Sequence, residues 1–107
     1  MEKSNDLDLI VEFEERIEQL IHDSKKIGYN PTKFQQMVNN KGALATVKQL
    51  IITPNLEYGF KKLIELKRLD LSIEYIVANE TKYAPLFTAD EIEAAVWSLE
   101  QAEHKIK

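Results

Sequence analysis

Leu7-Asp8-Leu9-Ile10-Val11-Glu12-Phe13-Glu14-Glu15-Arg16-Ile17-Glu18-Gln19-Leu20-Ile21-His22-Asp23-Ser24-Lys25-Lys26-Ile27, followed by Gly28, decides the fold. Ile10, Phe13, Ile17, Leu20 and Ile21 recur at helical spacing and line one face. Asn5 or Asp6 is placed to cap this helix, and Asp8 favours its positive end. Lys25 and Lys26 fall in the last turn, with Gly28 as the C′ residue. A helix from about Leu7 to Ile27 needs a partner for its apolar face. The rest of the chain supplies more helices and no strand-like alternation.

Asn30-Pro31 opens a second helix, with Asn30 as N-cap, Pro31 at the first helical position, and Phe34, Met37 and Val38 on its apolar face. After the turn Asn39-Asn40-Lys41-Gly42, a third helix runs from Ala43 to about Ile52 and buries Leu44, Val47, Leu50 and Ile51. Thr53-Pro54 starts a fourth, with Leu56, Phe60, Leu63 and Ile64 inward. Gly59 weakens it by about 1 kcal/mol relative to Ala, which points to close packing there. Asp70 reads as the N-cap of a short fifth helix with Ile73, Ile76 and Val77. The loop Asn79–Phe87 lays Tyr83, Leu86 and Phe87 onto the core. Thr88 and Glu91 form a capping box for the last helix, with Phe87 and Ile92 at the staple positions. Its buried stripe is Ile92, Val96, Leu99 and Ala102. The expected fold is all-α, a compact single-domain bundle of about six short-to-medium helices. It comprises a long amphipathic helix over 1–27 and a compact helical module over 28–107.

Composition narrows the function classes. The 107 residues suffice for one core without staples. There is no Cys, which excludes disulfides and thiolate metal sites. No apolar stretch approaches the roughly 20 residues of a membrane span, and the N-terminus is not a secretory signal, so no membrane partner and a cytoplasmic location are expected. The net charge of −4 hides a strong asymmetry: residues 1–24 sum to −6, residues 25–68 to +7 and residues 69–107 to −5. A basic centre between acidic flanks is either an anion-binding surface or an electrostatic partner for the chain's own ends.

No phosphate-binding Gly loop and no nucleophile elbow occurs. His22 and His104, each one turn after a Glu (Glu18 and Glu100), have no metal-site spacing and read as solvated rings. Glu14-Glu15 and Asp90-Glu91-Glu93 read as a solvated face and a helix N-terminus rather than catalytic carboxylates. We expect no enzyme, no cofactor and no metal.

Gly28-Tyr29-Asn30-Pro31-Thr32-Lys33-Phe34-Gln35-Gln36-Met37-Val38, Leu66-Lys67-Arg68-Leu69-Asp70-Leu71-Ser72-Ile73-Glu74 and Leu86-Phe87-Thr88-Ala89-Asp90-Glu91-Ile92 together resemble a small bacterial helical module of no assigned activity. It is found alone or attached to larger proteins, some of which look like restriction or nuclease proteins. The resemblance covers the chain from about Lys25 onward and implies a fold, with no catalytic residues to carry over. This chain has Lys41-Gly42 where the module has a Gly pair, lacks its Trp near Ile64, and has Lys67 where the module has Gly.

Two functions follow. The first is a non-catalytic module that acts through protein contacts, with itself or with a partner. Its candidate surfaces are the 3-4-3-4-3 stripe through Ile10, Phe13, Ile17, Leu20, Ser24 and Ile27, spaced like a coiled-coil seam although in so short a chain the same stripe is better read as core cover or as shared between core and a second copy, and the basic corner Lys61, Lys62, Lys67 and Arg68. The alternative is nucleic-acid binding through a helix-turn-helix over Pro31–Ile52. There Ala45, Thr46, Lys48 and Gln49 would face a groove, and Lys33 and Lys41, with the basic corner, would contact phosphates. Eight Lys against one Arg in the basic block, and the acidic flanks, weigh against that alternative.

Overall fold

In the computed structural model, which describes residues 2–52 and 59–106 and the side chains of 7–52 and 62–103, α1 spans Glu2–Lys26. It begins about a turn earlier than its apolar pattern does. The helices that follow are α2 (Thr32–Lys41), α3 (Ala43–Ile52), α4 (Gly59–Glu65), α5 (Ile73–Asn79) and α6 (Ala89–Ile106). Two 3₁₀ turns, Leu69–Leu71 and Thr81–Leu86, flank α5. The described residues form no strand, and the chain is an all-α bundle. No helix among the described residues is long and apolar enough to cross a membrane.

The core forms around the face of α1 that its spacing dictates. Phe13 and Ile17 are fully buried, and Leu20 and Ile21 nearly so. Tyr83 and Phe87 present edges to the Phe13 ring at 5.2 and 5.5 Å between centroids, with interplanar angles of 71° and 70°. Such edge-to-face pairs suit the ring quadrupoles and add about 0.5–1.5 kcal/mol each beyond burial. Val47 and Ile51 of α3, Ile76 and Val77 of α5, and Ala95 of α6 complete this core. Leu99 and Ala102 form a smaller cluster with Ile64, Leu69 and Ala78. The loop Asn79–Phe87 therefore packs as expected, with Tyr83 and Phe87 buried.

Helix ends follow local chemistry where the chain offers an unambiguous cap. Gly28, at φ 87°, closes α1: Tyr29 N–H donates to Ser24 O at 3.0 Å and Gly28 N–H to Lys25 O at 3.1 Å, a Schellman motif. The capping box of α6 forms in full. Thr88 N–H donates to Glu91 Oε1 at 2.8 Å, and Glu91 N–H to Thr88 Oγ1 at 3.1 Å.

Three local expectations are corrected. Pro31, not Asn30, is the residue before α2, and no side chain caps it. Ser72, not Asp70, caps α5; its Oγ accepts from Tyr75 N–H at 3.0 Å. Asp70 instead lies in the 3₁₀ turn and accepts from Arg68 at 3.0 and 3.1 Å. Val96 is 38% exposed, while Ala95 is fully buried. On α6 the buried stripe is thus Ala95, Leu99 and Ala102, which follow one another at i, i+4 and i+7 on one face. The Thr53-Pro54 cap, Leu56, and the side chains of Phe60 and Lys61 lie outside the described residues.

Candidate functional site

Among the described residues of the basic centre, Lys48 and Arg68 pair with carboxylates of the acidic last third, while Lys25, Lys26, Lys62 and Lys67 are exposed. Lys48, on α3, donates to Glu91 Oε1 at 2.7 Å and to the Leu86 carbonyl at 3.0 Å, with its ammonium 5.2 Å from the centre of the Phe87 ring. Burial alone would raise the Glu91 carboxyl. The Lys48 hydrogen bond and the Thr88 N–H outweigh it and hold Glu91 below the usual carboxylate range. Arg68 closes on Asp70, and Lys41 on Gln49. Lys33 and Gln49 are exposed. Lys62 and Lys67 stand exposed, with no carboxylate partner among the described residues.

Thr46 is fully buried, and its Oγ1 has no hydrogen-bond partner among the described residues. It faces the core, so the groove-facing role expected for it is corrected. Lys48 likewise points to α6 instead of outward. Both follow from packing: α3 contacts α1 and α6, and Ala45, Gln49 and Ile52 are its exposed positions.

Phe13, Ile17 and Leu20 are also corrected from surface to core. The seam-like spacing on α1 serves this chain's own interior, and Ser24 closes it by donating to Leu20 O at 2.9 Å. Exposed apolar side chains on α1 lie elsewhere. Leu7 is 64% and Val11 53% exposed, both on the turns before Phe13. Asp8 and Glu12 stand beside them, and Asp8, Leu9, Val11 and Glu12 line an open depression.

The acidic flanks make cross-links of their own. Arg16 grips Glu80 through two nitrogens at 2.7 to 3.2 Å, and Lys82 reaches Glu12 at 3.2 Å. These pairs pin α1 to the 3₁₀ turn Thr81–Leu86 with charges of both signs on each side. His22 is exposed, and the side chain of His104 lies outside the described residues. Among the described residues no three metal-ligating side chains come together.

One group escaped the sequence reading. Glu74, in the first turn of α5, is pushed up to about 7 by desolvation, with its own backbone N–H pulling weakly the other way. Tyr29 lies close enough to sense it; burial, then the Glu74 charge, raises the Tyr29 hydroxyl. Nothing in the sequence marks Glu74, since an acid in a helix's first turn is ordinary.

No protein-family model, no curated protein and no solved structure matches the chain.

Proposed function

We propose that this chain is a non-catalytic helical interaction module that works through protein contacts, with a second copy or with a partner protein. The observation that supports it is the pair Leu7 and Val11, standing in water on a helix whose next turns form the core. Large apolar side chains held on a rigid helix, beside the exposed acids Asp8 and Glu12, make a ready docking stripe. The exposed Lys62 and Lys67, beside the Arg68–Asp70 pair, supply a second, oppositely charged corner that would steer an acidic surface. The nucleic-acid alternative has less support, since Thr46 is buried and Lys48 is engaged with Glu91.

Light scattering of the chain, alone and after capture of partners from a native lysate, tests the reading. Leu7→Glu with Val11→Glu should abolish association while leaving helical circular dichroism unchanged, because both positions are already exposed. A chain that stays monomeric and retains nothing, with or without these substitutions, overturns the reading.

A further inference from the structure

Glu93, Val96, Trp97 and Glu100 follow the i, i+3, i+4, i+7 spacing on α6 and share its outer face, opposite the buried Ala95, Leu99 and Ala102. Trp97 is 56% and Val96 38% exposed, and both glutamates are exposed. Glu93 lies one turn before Trp97 and Glu100 one turn after it. Neither carboxylate meets a cation among the described residues. An indole left half in water between two carboxylates that meet no cation among the described residues presents an apolar platform, a negative ring face and negative charge together.

That combination selects its ligand. A guanidinium stacks on an indole by cation–π attraction and offers a planar fork to a carboxylate at the same time, which a lysine's point charge does less well. Trp is also the residue most enriched where a few side chains carry an interface. The guanidinium does not come from this chain. Its only arginines are Arg16, held by Glu80, and Arg68, held by Asp70. The two glutamates repel a polyanion, so nucleic acid does not suit this face.

We propose that the Glu93–Glu100 face of α6 docks an arginine-bearing amphipathic helix of a partner protein, with the guanidinium over Trp97 and an apolar side chain against Val96. This rests on the reading of the chain as an interaction module and names the chemistry of its partner.

Trp97 is the only tryptophan, so its fluorescence reports the site directly. The probe is a synthetic helical peptide with Arg at two positions one turn apart and Leu beside them, titrated into the full chain. Saturable change in Trp97 emission is expected, weakening with salt. A dye-labelled peptide read by anisotropy should bind Trp97→Ala about tenfold or more weakly, and Glu93→Gln with Glu100→Gln severalfold more weakly. Replacing Arg by Lys in the peptide should also weaken binding. All three substitutions sit on exposed positions, and unchanged thermal melting confirms that the variants are folded. Unchanged emission at high micromolar peptide, or equal affinity for Trp97→Ala, overturns the proposal. A concentration-dependent emission shift without peptide assigns the face to a second copy and overturns the choice of partner. If the chain still associates through Leu7 and Val11 while ignoring the peptide, this inference falls and the wider reading stands.

Discussion

Lys48 Nζ lies 2.7 Å from Glu91 Oε1, and this contact joins the basic middle third of the chain to its acidic last third. Its two side chains retain 34% and 12% of their exposure, so water screens the pair only in part. The same Glu91 oxygen accepts from Thr88 N–H, so the ion pair and the helix cap share an atom. The basic centre is therefore in part a structural counter-charge.

Breaking the pair from the lysine side should be costly. Lys48→Met leaves a mostly buried carboxylate without its cation and should lower stability by about 1–2 kcal/mol. Urea unfolding measures it. Glu91→Gln keeps a cap acceptor for Thr88, so the double variant should cost less than the two single losses added together, with about 1 kcal/mol of coupling.

Thr46→Val should stabilise the protein. The hydroxyl is fully buried with no partner among the described residues, and Val keeps the branched shape while removing the unmet polar atom. A gain of about 1 kcal/mol is expected from thermal or urea unfolding. A loss would mean that the hydroxyl finds a partner in solution.

Lys67 occupies φ 58°, the left-handed region, where Arg68 N–H donates to Leu63 O at 2.9 Å and Lys67 N–H to Ile64 O at 3.1 Å. This is a Schellman end for α4 with a side chain where Gly is preferred. Lys67→Gly should raise stability by about 0.5–1 kcal/mol, and Lys67→Ala should not.

Glu74 should make stability fall as pH rises. Its carboxyl ionises from about 4.5 when unfolded but only near 7 when folded. Between those values the folded state holds the extra proton, so each step up in pH favours unfolding. Glu74→Gln removes the penalty. It should stabilise by about 2 kcal/mol at pH 8 and by little at pH 4. Asp70 and Glu91 act in the opposite sense. Arg68 first, and for Glu91 the contacts that outweigh its burial, hold them low, so their contribution is present above the ordinary carboxylate range and is lost as pH falls through it. Unfolding free energies across pH 3–9 for the wild type and Glu74→Gln check both signs.

The acidic arm of α1 was visible in sequence, yet its exposed stripe was not. Periodicity identified Phe13, Ile17 and Leu20 as apolar and aligned, which suits a core and a dimer seam equally. Leu7 and Val11 fall off that spacing, and the break marks side chains the core does not take. The spacing of Ile92 and Leu99 admits Val96 or Ala95 between them, and packing takes Ala95, leaving Val96 and Trp97 exposed.

Local chemistry sufficed for the all-α class, the Gly28 stop, the Thr88–Glu91 box and the helix boundaries of α3, because each depends on residues within a turn or two of one another. Packing alone decided that Lys48 faces Glu91, that Thr46 is sealed in, that Ala95 displaces Val96 from the core and that Glu74 is partly desolvated. Those outcomes depend on which helices become neighbours, and residues 38 or more positions apart, such as Lys48 with Leu86 and Glu91, meet only after the chain has closed around Phe13.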